Sequence, residues 1–525
     1  MNNLVLLLKV QLSGLLTNTT QFSKKKKLAG VGSLLFLGAI FLYMSVVYTM
    51  SMVMTFPEGY QYITLYVMGL MTLFMLLIFG YQSAGGHLFG FKDYDLLMSL
   101  PISKEEVLLS KFLSFLFLEY FYALFLLMPA IIIVGIVCEY GILYYILGIV
   151  AWVLFPIVPM VIASILAYFA MNLASKFKYK NLMNNIFYIV LMIAVFGMVF
   201  GYQSLLQGNI TQLESLQKNI QMYAPFIGFL FDGMVFHDFV HFGIGSMINI
   251  FVFGLFVFIF SKSFMKLNGQ MNTGYKDKNF KLTESKANSA YFALFMKELR
   301  MYFSYSVYFM NTAVMPIITV VGFGYACITM KDDLNMIMNM FPEYVVLVLC
   351  GSILMMTLMS CTTNSSISLE GSNFDSLKTY PIDTMDIFKA KLSVNLLVVL
   401  PFGMICSILA FIFLNITFTE MLLMMMTSFT SSYFISAFGL ILNLHFYRFD
   451  WDNVARVVKQ SMPVAITSIG SMVVTIGFVM LGINLSNVID GTLLVLILNI
   501  ILFIIDILLY VYLKTGGKKQ FNKIH

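Results

Sequence analysis

Few residues of this chain are equipped for chemistry, and their placement narrows what they can do. Two acids, Glu119 and Asp506, interrupt long apolar runs. A carboxyl there would meet a cationic or amphipathic ligand, or join neighbouring helices through Asn172, Asn249, Asn311, Asn395 or His241. A central acid costs about 2.5–3.5 kcal/mol on insertion scales, so neither is incidental. The opposite half of the chain holds no matching acid, which favours the interhelical role. Five cysteines (Cys138, Cys327, Cys350, Cys361, Cys406) are scattered and lack metal-ligand spacing, so they read as small core residues. His87, beside Gly85 and Gly86, reads as a loop histidine, and a lone histidine makes no metal site. No nucleophile and base fall on neighbouring turns, so no catalytic residue is assigned.

The most informative spacing is a repeated one. Tyr94-Asp95-Leu96-Leu97-Met98-Ser99-Leu100-Pro101-Ile102-Ser103, continuing to Lys111, returns 280 residues later. The second copy is Phe374-Asp375-Ser376-Leu377-Lys378-Thr379-Tyr380-Pro381-Ile382-Asp383, continuing to Lys391. Asp95, Leu97, Pro101, Ile102 and Lys111 fall on Asp375, Leu377, Pro381, Ile382 and Lys391 without gaps. Each proline stops the preceding segment ahead of a new helix start. Ser103 with Glu106 fits a capping box, and Asp383 with Asp386 occupies the same two positions. Ahead of the first proline, Asp95 to Leu100 forms one short helical turn with Leu96, Leu97 and Leu100 unburied. Apolar residues at a loop tip need a partner surface. Helix-ending rules do not require Asp95 and Asp375, so the duplication points to one job done twice.

These loops must be carried by membrane helices. A mean hydropathy of +0.89, with 60% apolar and 11% charged residues, excludes an ordinary soluble domain. About 20 apolar residues cross a hydrocarbon core of ~30 Å. That ruler predicts an all-α membrane fold with spans at 28–54, 60–83, 107–136, 142–171, 186–205 and 239–261, then 307–329, 343–364, 387–414, 421–444, 462–483 and 491–513. The twelve spans divide into two parallel six-helix repeats, 1–261 and 307–525, joined by a polar segment, 262–306, with eight basic residues.

Charge sets the orientation. With both termini inside, 29 of the 31 Lys and Arg lie on the inner side, and only Lys218 and Lys331 fall outside, among ten acids. The net charge of +6 is therefore a topology signal, with anionic headgroups as neighbour, and implies no nucleic acid. Residues 4–16 form an amphipathic interfacial helix rather than a cleavable signal peptide, followed by Lys24 to Lys27. Ala293 to Ser304 is its counterpart, with Lys297 in the place of Lys9. Tyr223 to Phe231 is too apolar for solvent and too short to span, so it reads as a re-entrant or interfacial piece.

The loop with its following helix resembles the ABC-2 type exporter permeases. The second copy carries the likeness best: Ser368-Leu369-Glu370-Gly371, Leu377, Tyr380-Pro381-Ile382 and Lys391. Phe446 to Asn453, with Trp451, followed by Val458-Lys459-Gln460-Ser461, is similar to a further pattern in twelve-helix members. The resemblance implies that the loop after the second span of each set contacts an ATPase subunit. Its residues would be Asp95, Leu97, Leu100 and Pro101 in the first copy and Glu370, Asp375, Leu377, Tyr380 and Pro381 in the second. The first copy has Phe89-Gly90 where the second has Glu370-Gly371, and Ser175 to Lys180 lacks the Trp and acid of the later loop. An acid contact would therefore be one-sided.

No G-x-x-x-x-G-K-[ST] occurs, and Gly516-Gly517-Lys518 has the wrong spacing, so ATP and magnesium are expected on a partner ATPase, in two copies. The expectation is a multi-pass cell-membrane permease exporting a hydrophobic or amphipathic molecule: a peptide, lipid or antibiotic. A proton-coupled secondary carrier is the alternative, although a major-facilitator loop rich in Arg is missing after the second span. A membrane immunity or sequestering protein would not need a duplicated, acid-flanked loop.

Overall fold

The computed structural model describes residues 3–18, 24–88, 97, 99–177, 180–206, 210–272, 289–451, 454–485 and 489–524. Among these, every regular element is helical. Among the described residues, eleven helical stretches are long and apolar enough to cross a membrane, and the helix Lys24–Thr55 adds the shorter apolar stretch Phe41–Thr55. The chain divides into two compact units, Met1–Lys278 and Asn279–His525.

In the first unit, α1 (Asn3–Asn18) precedes α2 (Lys24–Thr55), α3 (Ile63–His87) and α4 (Lys104–Val137). α1 packs on α4, where Gln11 Nε2 donates to Ser110 Oγ at 3.0 Å. The expected span 142–171 is two helices, α5 (Ile142–Leu154) and α6 (Ile157–Ser175). Pro156 has no N–H to continue the ladder, which accounts for the break. α7 (Lys180–Leu206) follows, then α8 (Ile210–Tyr223), α9 (Pro225–Val235) and α10 (Phe239–Asn272). α3 is the centre of this unit, packed on both α4 and α6. The expected interfacial piece is α9, whose 11 residues rise only ~16 Å, too little to cross. Nine of them are buried, and Asp232 accepts from Tyr66 OH and, at 2.7 Å, from Gln217 Nε2.

The second unit opens with α11 (Ala290–Ser304), α12 (Ser306–Thr329), α13 (Lys331–Met340) and α14 (Pro342–Leu358). The expected span 343–364 is not continuous: its helix ends at Leu358, and a short turn, α15 (Thr363–Ser366), resumes beyond a break. The run Ser360-Cys361-Thr362-Thr363-Asn364 offers hydroxyls and an amide that compete with the helix ladder. The freed backbone groups find partners inside the unit. Tyr308 OH donates to the Thr362 carbonyl at 2.7 Å, and Thr362 N–H donates to Asn395 Oδ1 at 2.6 Å. Ser360 Oγ donates to the Thr312 carbonyl. Irregular backbone at membrane depth is tolerated where protein satisfies it in this way.

After a 3₁₀ turn (Ser368–Asn373) come α16 (Phe374–Thr379), α17 (Thr384–Phe413), α18 (Phe418–His445), α19 (Val454–Val458), α20 (Met462–Leu485) and α21 (Gly491–Tyr512). A π-turn (Leu513–Gly517) and α22 (Lys518–Lys523) end the unit. α18 starts with a closed capping box, Thr417 with Glu420, a T-x-x-E signal present in the sequence. Its interior face is rich in hydroxyls. Thr357 Oγ1 donates to Ser431 Oγ at 2.7 Å, Asn395 Nδ2 to Ser436 Oγ at 2.7 Å and Asn499 Nδ2 to Thr427 Oγ1 at 2.9 Å. Gly403 on α17 faces Ser428, and a Cβ there would lie 2.1 Å from its Oγ, so glycine sets the helix separation. Cys327, Cys350, Cys361 and Cys406 are buried.

Candidate functional site

Both copies of the duplicated loop turn in the same way. Ile102 N–H donates to the Leu100 carbonyl at 2.8 Å, and Ile382 N–H donates to the Tyr380 carbonyl at 2.8 Å. Each proline thus sits at the middle of a three-residue turn. Ser103 and Asp383 then cap the next helix from extended backbone. The first cap closes the box, with Ser103 Oγ accepting from Glu106 N–H and Glu106 Oε2 accepting from Ser103 N–H, each at 3.3 Å. The second does not. Asp386 is one methylene shorter than Glu106 and pairs with Lys389 at 3.6 Å instead.

In the first copy, Leu100 and Pro101 are exposed and Leu97 is half-buried, while Asp95 lies outside the described residues. In the second, Asp375, Tyr380 and Pro381 are exposed. The other two residues are placed differently from a surface contact. Leu377 is buried with Phe374, Phe388 and Phe521, so it faces inward. Its cover comes from the far end of the chain: Phe521 meets Phe374 edge-on at 5.1 Å and Phe388 at 5.7 Å. Lys378 Nζ donates to the Ile524 carbonyl, and Lys518 Nζ reaches Asp383 Oδ1 at 2.6 Å.

Glu370 is buried within a group of four charges. Lys391 Nζ lies 2.8 Å from Glu370 Oε1 and 2.8 Å from Glu298 Oε1, and donates to the Ser366 carbonyl at 3.0 Å. Lys297 Nζ closes the group at 2.6 Å from Glu370. Two cations and two anions sum to zero, which lets Lys391, Glu370 and Glu298 be buried while Lys297 stays partly exposed at the edge. Burial pushes the Glu298 carboxyl up, against the pull of Lys391. The cluster fastens α11, the 3₁₀ turn and α17 at one point, so Glu370 positions the loop from beneath. Glu298 is the member that sequence reasoning missed. Its only signal is adjacency to Lys297 on an amphipathic helix.

The two stretches that carry the family likeness converge here. Trp451 Nε1 donates to the Ser368 carbonyl at 2.7 Å, and Asn443 Nδ2 and Arg448 N–H donate to Ser368 Oγ at 2.8 and 3.0 Å. Gly371 has φ +55 and ψ −132, a conformation left to glycine, and a Cβ would stand 3.3 Å from the Trp451 ring. Loop 368–371 and loop 446–451 therefore form one folded platform.

The two intramembrane acids lie on long helices, one in each unit. Glu119 is fully buried on α4 against Gly80, and neither of its oxygens has a hydrogen-bond partner. Asp506 Oδ1 on α21 likewise has none. Three of the four asparagines that the sequence offers bond elsewhere: Asn249 with Gly245, Asn311 with Val458 and Asn395 with Thr362 and Ser436. His241 pairs with Asp238.

These features define an all-helical, many-spanning membrane protein. The chain belongs to the family described as membrane proteins of 12 TMs, which matches residues 30–513. Neither a search of curated proteins nor one of solved structures found a match.

Proposed function

We propose that this chain is the permease subunit of an ABC-2 type exporter in the cell membrane, moving a hydrophobic or amphipathic molecule (peptide, lipid or antibiotic) with energy from separate ATPase subunits. The observation that carries the reading is the platform of the second unit. The residues behind the family likeness fold onto one another and present Asp375, Tyr380 and Pro381 outward. The identical three-residue turns at Pro101 and Pro381 support two parallel six-helix repeats, each offering one docking loop. Charge bias supports both termini and both loops on the cytoplasmic side. In this reading the chain is not itself an enzyme: ATP and magnesium stay on the partner, in two copies, and nucleic acid has no role.

Tyr380 is the residue to test, because it is exposed and its loss leaves the core intact, whereas Leu377→Asp would break the packing beneath. With a co-expressed ATPase, Tyr380→Ala is expected to weaken the complex by about 30-fold, as for a hot-spot residue, and to uncouple ATP hydrolysis from cargo. Wild-type binding and coupling in Tyr380→Ala and Leu100→Ala would remove the loops as motor contacts. The partnerless carboxyl of Glu119 favours a second reading, a proton-coupled carrier. Transport driven by a pH gradient in proteoliposomes without any ATPase would establish that instead.

A further inference from the structure

A lateral groove in the first unit lies outside both the loop platform and the acids. It encloses about 340 Å³ between α6 and α10 and is lined by Val161, Ile165 and Phe169 on one side and Leu255, Phe256 and Ile259 on the other. That is the size at which pockets begin to hold small ligands, roughly 300–1,000 Å³. Its walls are braced by rings, with Tyr168 edge-on to Phe260 at 5.8 Å and Phe112 edge-on to Phe256 at 4.8 Å. Ile165, Phe169, Leu255 and Ile259 are exposed, so the groove opens sideways. In a membrane-spanning helix pair, that direction is the hydrocarbon.

The groove has one charged end. On α6, positions 161, 165, 169 and 176 share a helical stripe, and Lys176 caps the helix about 10 Å beyond Phe169 at 1.5 Å per residue. Lys180 begins α7, which packs on α6. Acids are missing from this part of the sequence: between Glu139 and Glu214 there is no Asp or Glu. An apolar slot leading toward Lys176 and Lys180 fits a molecule with an acyl tail and a negative head. Basic positions at helix ends hold anionic headgroups by the same attraction.

We infer that the groove binds one anionic phospholipid, an acyl chain lying between α6 and α10 and the phosphate at Lys176. This rests only on membrane residence and stands whether or not the chain is an exporter permease.

The test uses the purified full chain, stripped of lipid in detergent. It is then offered phosphatidylglycerol or phosphatidylcholine with the same acyl chains and read by native mass spectrometry and thermal melting. Wild type is expected to retain phosphatidylglycerol preferentially and to melt higher with it. Lys176→Gln should cut that preference about fivefold, the contribution of one cation near a charged headgroup. Lys176→Arg should keep it, and Ile165→Trp, which fills the groove, should abolish retention of both lipids. Equal retention of the two lipids by wild type would overturn the inference, as would a Lys176→Gln variant with an unchanged preference or retention of both lipids by a folded Ile165→Trp variant.

Discussion

Lys391 Nζ stands 2.8 Å from Glu370 Oε1, and the two side chains are 0% and 3% exposed. A lysine on α17 and a glutamate on the loop before it are thus held as a buried pair, with Glu298 and Lys297 of α11 completing the balance. Removing one member leaves an uncompensated charge. Glu370→Gln or Lys391→Met alone should each lower stability by about 3–5 kcal/mol. The double variant should cost less than the sum, with a coupling of at least ~1 kcal/mol. Thermal or denaturant melts of the four proteins in one detergent supply the cycle, and strict additivity would contradict the pairing.

Gly371 and Trp451 make a second, separable contribution. Gly371→Ala places a side chain in a backbone region suited to glycine and against the indole, an expected loss of ~1–3 kcal/mol. Trp451→Phe keeps an aromatic ring but drops the indole N–H donated to Ser368, an expected loss of ~0.5–1.5 kcal/mol for that bond. Melting curves rank the two, and Trp451→Phe should be the milder.

The hold of the C-terminal helix on the loop should depend on acid. Asp383 has its pKa lowered by the hydrogen bond from Lys518. The docked carboxyl therefore binds a proton less readily than the free one. Docking is favoured above the ordinary carboxyl value of about 3.8 and loses that advantage as pH falls through the lowered value. Hydrogen exchange of residues 518–524, corrected for intrinsic rate, should show protection at neutral pH that fades in strong acid. Asp383→Asn should show reduced protection at neutral pH and match wild type in strong acid.

Glu119 carries a polar group that the fold does not satisfy. Glu119→Leu should therefore raise stability by about 1–3 kcal/mol, the cost of an unpartnered buried polar atom. A melt of that variant decides it. If Glu119 meets cargo or protons, the same variant will be more stable yet fail in transport.

The helices were readable from long apolar runs because crossing a bilayer demands both length and apolarity. Two details escaped that ruler. Pro156 and the hydroxyl run after Leu358 divide helices whose average hydropathy is still high, and a windowed average does not register one missing donor or a competing hydroxyl. At the site, the Glu370 and Lys391 motif was visible, but its depth was not. Glu298 lies 72 residues before Glu370 and Phe521 lies 144 after Leu377, so neither partner shares a local pattern with the loop it covers. Leu377 consequently looked like a surface leucine awaiting a partner, when its partner is the end of its own chain.

The hydroxyl-lined face of α18 bears on how the protein enters its membrane. α18 is less apolar than α17 or the segment containing α20. Partitioned singly from the insertion machinery, it would carry Thr427, Thr430, Ser431 and Ser436 into lipid with only carbonyls of their own helix to meet. Beside α17 and α14, Ser436 and Ser431 have Asn395 and Thr357 to meet, while Thr427 and Thr430 meet Asn499 of α21. The earlier helices α14 and α17 can thus satisfy one part of the α18 face, and the other part is left until α21, the last long helix of the chain, packs against it.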